Sequence, residues 1–197
     1  FMASGDLVVA IQAGGLGKNG IRVQVTSDLG LTWTPAETVD GAAIPNGVVS
    51  PADENHLVPT MAYTTTGKLK LAWHKPLPGT DSEAYISTSL DGLNWSAPAM
   101  LPEVKSYVRL KPGRAANLHA SGVTAALGYG DTVYMSSVDE GTTWDPATPI
   151  PVTPNALLLS HHLRANLVEG WLHIGWWETL PNNVTKQTLK VVTVEVK

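Results

Sequence analysis

The sequence predicts an all-β chain, and three observations support that prediction. The 197 residues include 18 glycines and 14 prolines while only 15% are charged, a composition typical of many short strands joined by tight turns. Apolar and polar side chains alternate in segments such as 69–72, and no segment shows a helical period. One turn pattern also occurs three times, which divides the chain into similar units.

The repeated turn has the pattern Ser/Thr-x-Asp-x-Gly-x-Thr-Trp at 26–33 and 137–144. A third copy at 88–95 keeps Gly and Trp in register, but its Asp comes one place late. Strand-forming residues precede each copy and a strand-like segment follows, so each turn should connect two strands of a hairpin. Asp accepts hydrogen bonds from backbone amides, Gly supplies a positive φ, and the hydroxyl ties the turn to its own backbone. We expect a structural role for Asp28, Gly30, Trp33, Asp91, Gly92, Trp95, Asp139, Gly141 and Trp144.

These turns resemble the Asp-box, or BNR repeat, of sialidases and related β-propellers. The resemblance covers nearly the whole chain and implies a propeller of four-stranded antiparallel blades. In that family the box residues lie away from the active face, which agrees with a structural role. The box tryptophans are 62 and 49 residues apart, and these periods suit a four-stranded blade with loops of variable length.

The four-stranded unit is clearest in the second blade, at about 41–102. It has an inner strand at 56–63, a second strand at 69–73, a third at 83–87 and an outer strand at 95–101. The first blade, at about 1–40, lacks an inner strand. The third blade occupies about 103–151, and its clear pattern begins near Arg114, with Gly128-Tyr129-Gly130 closing its second strand.

The fourth blade, at about 152–197, has strands at 163–168, 171–177 and 189–196 but no fourth box. The expected strand counts are therefore three, four, four and three. Because neither terminal blade is complete, and the chain starts at Phe1-Met2, we expect a segment of a larger propeller or a ring completed by a partner or a second copy. An unpaired strand edge at each end would favour such association.

In the related propellers, ligands bind on the face where the inner strands begin, here called the rim. Aligning the second strands puts Gln12, His74, Tyr129 and Trp177 at one equivalent rim position, with Glu178 following Trp177. Aromatic and hydrogen-bonding side chains together suit a sugar ring. The alternative for the tryptophans Trp73, Trp171 and Trp176 is a place in the core between blades.

A second set of candidates lies near the predicted starts of the inner strands. Arg109, Arg114 and Arg164 are three of only four arginines, and sialidases use three arginines around a carboxylate because guanidinium pairs with it bidentately. Structural pairing with Asp or Glu is the alternative. The same entries hold His161 and His162, together with Asp53, Glu54, His56 and Lys111. The candidate ligand-binding residues are therefore His74, Tyr129, Trp177, Glu178, Arg114, Arg164, His161 and His162.

Several features of a sialidase are missing from this sequence. There is no Phe/Tyr-Arg-Ile-Pro motif, no clear Tyr nucleophile with a partner Glu, and no Asp that can be assigned as acid/base. Catalytic residues are therefore unassigned. His161 and His162 are adjacent on a predicted strand and point to opposite faces, so we expect no metal site, and no motif indicates a cofactor. The glycine-rich stretch 14–20 joins two strands and lacks the helix of a phosphate-binding loop.

Charge and composition limit the partners. The net charge is −4 without any basic run, which argues against nucleic acid, and no apolar run reaches the ~20 residues of a membrane span. The chain has no cysteine, which is compatible with secretion. We expect a secreted or cell-surface lectin-like propeller that binds a glycan. The alternatives are part of a sialidase-like exo-glycoside hydrolase and a non-catalytic scaffold for protein interaction.

Overall fold

A computed structural model describes residues 2–15, 18–35, 57–79, 81–125, 131–150, 164–168, 171–180 and 183–195. These residues form strands and turns, and no helix occurs among them. No helix in this part of the chain could therefore cross a bilayer. The predicted all-β class is confirmed.

The strands form four antiparallel sheets in chain order. The first sheet has three strands: β1 (Leu7–Gly15), β2 (Lys18–Thr26) and β3 (Thr34–Pro35). The second has four: β4 (Leu57–Tyr63), β5 (Leu69–Pro76), β6 (Ser82–Ser89) and β7 (Ala99–Met100). The third also has four: β8 (Ser106–Pro112), β9 (Leu118–Val123), β10 (Thr132–Ser137) and β11 (Thr148–Pro149). The fourth has three: β12 (Arg164–Val168), β13 (Trp171–Leu180) and β14 (Asn183–Glu195).

Neighbouring sheets meet through the strands nearest the centre. Strand β1 contacts β4, strands β4 and β5 contact β8, and β8 contacts β12. The sheets are therefore the blades of a β-propeller, with β4, β8 and β12 as inner strands. The described strands number three, four, four and three, so the predicted fold of about four blades with incomplete first and last blades is confirmed. The exact blade boundaries stay a prediction.

The apolar core lies between the blades. One cluster joins the first and second blades around Trp73, which is 1% exposed, and a second cluster joins the second and third blades around Leu118 and Met135. Because blades pack on both of their faces, every residue of β5 from Leu69 to His74 is buried. Alternation in this strand thus separates two buried faces, and does not separate a buried face from an exposed one.

The box turns are held by hydrogen bonds to the Asp carboxylate and to the first hydroxyl. In the first box (26–33), Asp28 accepts from the Thr32 amide at 2.9 Å and from the Thr32 hydroxyl at 2.6 Å. The Thr26 hydroxyl donates to Asp28 and accepts from the Gly30 amide at 2.9 Å. The third box (137–144) repeats these bonds with Ser137, Asp139, Gly141 and Thr143.

The second box along the chain is the copy at 88–95, and because its first hydroxyl belongs to Ser89 it is one residue shorter than the other two. Its hydroxyl is Ser89, two residues before Asp91, which is the spacing of Thr26 and Asp28. The first and third boxes place a left-handed residue between Asp and Gly, whereas the second box goes directly from Asp91 to Gly92. Asn94 replaces the Thr and donates to Asp91 from its amide group at 2.7 Å. The Asp therefore comes late because a residue is missing, and its turn-fixing bonds are kept.

We predict that acid weakens the fold through two box carboxylates. Hydrogen bonds, first from Thr26 and then from Thr32, lower the pKa of Asp28 to about 2. Bonds led by the Thr143 hydroxyl lower the pKa of Asp139 to about 2 as well. Because these pKa values lie below the ordinary 3.8, the stabilisation is present above pH 4 and is lost as the pH falls towards 2.

Urea denaturation between pH 6 and pH 2 measures this effect. The midpoint should fall below pH 4, and the fall should be shallower in the Asp28→Asn/Asp139→Asn variant. An identical pH profile in both proteins would contradict the proposed contribution.

Candidate functional site

The rim is built from the starts of the inner strands and the ends of the second strands. Strands β4 and β8 both begin with a β-bulge, because the register shifts between Leu57 and Thr60 and between Ser106 and Arg109. The extra residues, Val58 and Tyr107, have φ values of 53° and 52°. A left-handed backbone is strained at a β-branched or bulky residue, and such strain is concentrated at functional sites.

Each bulge is contacted by the second strand of the preceding blade. The Val58 amide donates to Oε1 of Gln12 at 3.0 Å, and the Tyr107 ring lies 5.3 Å from the His74 ring between centroids. Leu7 pairs with Thr26 and Leu69 pairs with Ser89, the first hydroxyl residues of their boxes. Gln12 and His74 each lie five residues after that leucine, so they occupy equivalent positions in their strands. The same rim position thus links the first blade to the second and the second blade to the third.

The structure places His74, a predicted ligand-binding residue, at the contact between the second and third blades. The side chain is 1% exposed and packs on Tyr107. Its imidazole therefore lies between blades and not on an open surface. Gln12, by contrast, is exposed.

The expected equivalence of Tyr129 with His74 is wrong. Strand β9 ends at Val123, which pairs with Ser106 as His74 pairs with Leu57, so Val123 occupies the equivalent position. Tyr129 lies outside the described residues.

The strand register places two of the candidate arginines, Arg109 and Arg164, at equivalent positions. Arg109 pairs with Ser121, the equivalent of Ala72, and Arg164 pairs with Gly175. Ala72 and Gly175 are the small residues of the matching sequences Leu-Ala-Trp (71–73) and Ile-Gly-Trp (174–176), so they are equivalent. Arg109 and Arg164 therefore hold the same register position in two inner strands that contact each other. The Arg109 side chain is half-buried and its Nη1 donates to the Val108 carbonyl at 2.8 Å.

Arg114 does not lie at the start of an inner strand, and that expectation is wrong. The inner strand of the third blade is β8, which ends at Pro112, and Arg114 is exposed in the turn that follows. This turn meets the third box, where the Glu140 amide donates to the Ala116 carbonyl at 2.8 Å. Arg114 is therefore at the end of the blade opposite the rim, here called the box end.

The remaining candidates are described only in part. Trp177 and Glu178 lie in β13, where they pair with Leu189 and Thr188 of β14. Trp177 holds the register position of His74, and Trp176 holds that of Trp73. His161 and His162, like Asp53, Glu54 and His56, lie outside the described residues. No group of three His, Cys, Asp or Glu side chains that could hold a metal occurs in the part of the chain that the structure describes.

The pattern of the sequence did not indicate the bulges at Val58 and Tyr107. A bulge adds one residue to a strand without changing its composition, so a period of two residues cannot locate it. The Pro after Val58 is the one available signal, because Pro within a sheet favours edges and bulges.

No family model matches this chain, and no curated protein matches it in sequence. Solved structures do match it. An endo-arabinase from Bacteroides thetaiotaomicron is 16% identical with a TM-score of 0.57, over 98% of this chain and 72% of that one. An α-L-arabinanase from Penicillium chrysogenum, in complex with arabinobiose, is 19% identical with a TM-score of 0.56, over 74% and 48%. A sialidase from Streptococcus pneumoniae is 13% identical with a TM-score of 0.57, over 98% and 50%.

These likenesses show a shared β-propeller fold. The chain spans about half the length of the Penicillium arabinanase and of the Streptococcus sialidase that it matches. All three of these proteins are named as enzymes that act on carbohydrates.

Proposed function

We propose that this chain binds a saccharide at the rim, through Arg109 and Arg164. The observation that carries the proposal is their common register position in two inner strands that contact one another. Guanidinium groups bind carboxylates bidentately, so this pair suits a saccharide that bears a carboxylate. The names of the structural neighbours support a carbohydrate ligand.

The first form of this proposal is lectin-like recognition outside the cell. The missing sialidase motifs support it, because without a nucleophile and an acid/base pair the rim can still bind a sugar. Trp177 would add an aromatic surface at the register position that Gln12 and His74 occupy in other blades.

A second form is that the chain is part of a glycoside hydrolase. The arabinanases and the sialidase among its structural neighbours favour it. A glycosidase needs two carboxyl groups, or the Tyr variant, at a defined separation, and further blades would have to supply what this chain lacks.

A glycan array that includes sialosides and arabinan oligosaccharides tests the rim. We expect selective binding, with a Kd at least about tenfold higher in Arg109→Ala and in Arg164→Ala, because a charged hydrogen bond contributes about 1.5–3 kcal/mol. Arg114→Ala is the matched control, since it removes the same group from the box end, and its Kd should be unchanged.

An equal loss of glycan affinity in all three arginine variants would contradict a rim site. Unchanged affinity in all three variants would contradict it as well. Release of sugar from the bound glycan, followed by chromatography, decides between the lectin and the hydrolase. If a folded chain binds no glycan, a scaffold for protein interaction becomes the favoured function.

A further inference from the structure

A polar pocket lies at the box end, between the second and third boxes. Its volume is about 530 Å³, within the range of roughly 300–1,000 Å³ common for small-molecule sites. Its walls carry hydroxyl and amide side chains, including Thr88, Asn94 and Thr142, together with the charged groups of Lys68, Lys70 and Asp91. None of these residues belongs to the rim.

Lys70 is the unusual member of this pocket. The residue is 6% exposed, and its ammonium donates to the Thr88 hydroxyl at 3.0 Å. Among the residues that the structure describes, no carboxylate lies within ion-pair distance of it. Lysine is almost never buried to this degree without a charged partner.

The carboxylate in the pocket wall, Asp91, and the carboxylate of Glu140 both accept hydrogen bonds from groups other than Lys70. Glu140 accepts hydrogen bonds from Lys68 and from the Thr66 hydroxyl. Asp91 accepts two bonds from Asn94 and one from the Leu93 amide, at 2.7–2.8 Å. Lys68 balances the charge of Glu140, whereas the donors to Asp91 are neutral, and no hydrogen bond joins either carboxylate to Lys70. Lys70 therefore retains ammonium hydrogens beyond the single bond to Thr88.

Burial lowers the pKa of Lys70, and Glu140 offsets this only in part. Burial thus makes the charged form less favourable than it is in water. An anion in direct contact with the ammonium would supply a closer counter-charge than Glu140 and Asp139, which act on Lys70 without an ion pair to it.

We propose that this pocket binds the anionic group of a small polar ligand, a carboxylate or a sulfate ester on a saccharide, against the Lys70 ammonium. Asn94 and Thr142, which are exposed on the same walls, are placed to hydrogen-bond the rest of the ligand. The site is independent of the rim, because Lys70 follows the first residue of β5 whereas the rim lies at the other end of that strand.

Titration of the ¹⁵N-labelled chain with glucuronate, inorganic sulfate and uncharged glucose tests the pocket. We expect saturable shifts of the Thr88 and Asn94 amide signals with glucuronate and sulfate, and none with glucose. Tighter binding of glucuronate than of sulfate would show that the sugar ring contributes. Similar binding of both would show recognition of the charge alone, and either result supports the site.

Lys70→Met should weaken the binding of both anions at least tenfold, because it keeps the aliphatic stem and removes the charge. Lys190→Met, in the fourth blade, is the matched control and should bind like the original chain. Removing an unpaired buried charge should not lower the thermal midpoint, so a loss of binding can be separated from unfolding.

Absence of saturable shifts with both anions in the original chain would overturn the proposal without reference to any variant. Unchanged affinity in Lys70→Met would also overturn it. Arg109→Ala should retain anion binding at Thr88 and Asn94, so failure of the rim proposal leaves this one standing.

Discussion

Replacing Trp73 with alanine is expected to lower the free energy of unfolding by about 3–5 kcal/mol, the usual cost of truncating a buried Trp. Trp73 is 1% exposed and lies in the cluster that joins the first and second blades. Its ring stacks on Tyr85, with centroids 6.1 Å apart and planes 25° apart. The cavity would open between two blades that are joined chiefly by apolar contacts. Equilibrium denaturation in urea, followed by tryptophan fluorescence and circular dichroism, measures the loss.

Trp171→Ala is the matched control because it removes the same side chain from a strand position that is 45% exposed. Its cost should be at most about 1 kcal/mol, as for other surface positions. The loss of unfolding free energy in Trp73→Phe should lie between the losses in these two variants. This variant should stay folded and can be measured if Trp73→Ala unfolds. Equal losses at Trp73 and Trp171 would contradict the burial of Trp73 between blades.

Gly122→Ala is expected to destabilise the chain by about 3 kcal/mol or more, at the upper end of the cost of overpacking. Gly122 holds the register position of Trp73 in the third blade. A Cβ there would lie 2.5 Å from Cγ1 of Val104 and 2.9 Å from the backbone oxygen of Ser106. The side chain of Val104 can shift, but the Ser106 carbonyl belongs to the bulged start of β8. We therefore expect the effect to reach the rim.

Gly175→Ala separates this clash from the general effect of replacing a strand glycine. A Cβ at Gly175 would have no neighbour closer than the Lys190 carbonyl oxygen at 3.7 Å, which is ordinary contact. Gly175→Ala should be neutral or slightly stabilising, because Ala restricts the unfolded chain more than Gly does. Chemical denaturation of the two variants side by side is the measurement. A Gly122→Ala variant as stable as Gly175→Ala would contradict the packing around β8.

The sequence was sufficient for the fold because the box turns are local. Each hydrogen bond of the first box joins residues within a few positions of one another, so residue type and spacing indicate the geometry. The same holds for the hairpin between β5 and β6, whose strands were predicted within a few residues. Three boxes were therefore enough to predict four-stranded blades and their order.

The rim was harder to predict because its features depend on contacts between blades. The bulge at Tyr107 lengthens β8 by one residue, and the burial of His74 follows from the packing of Tyr107 on it. Neither contact leaves a periodic signal in the sequence. The prediction for Arg114 fails for a related reason, because it depends on a second strand that ends near Tyr129, whereas β9 ends at Val123.

The charged residues of the box end could not be identified from the sequence either. Glu140 occupies a variable position of its box, and its partner Lys68 lies 72 residues away in the preceding blade. Such a pair forms only when two blades are packed together. Lys70 follows the polar-apolar alternation of a solvent-facing strand, but both faces of β5 are covered.

We propose that a saccharide binds at the rim between the third and fourth blades. A crystal structure of the chain soaked with the strongest ligand from the glycan array would locate the bound sugar. We expect its density beside the guanidinium groups of Arg109 and Arg164. Density for the sugar elsewhere, with both arginines paired to protein carboxylates, would contradict it.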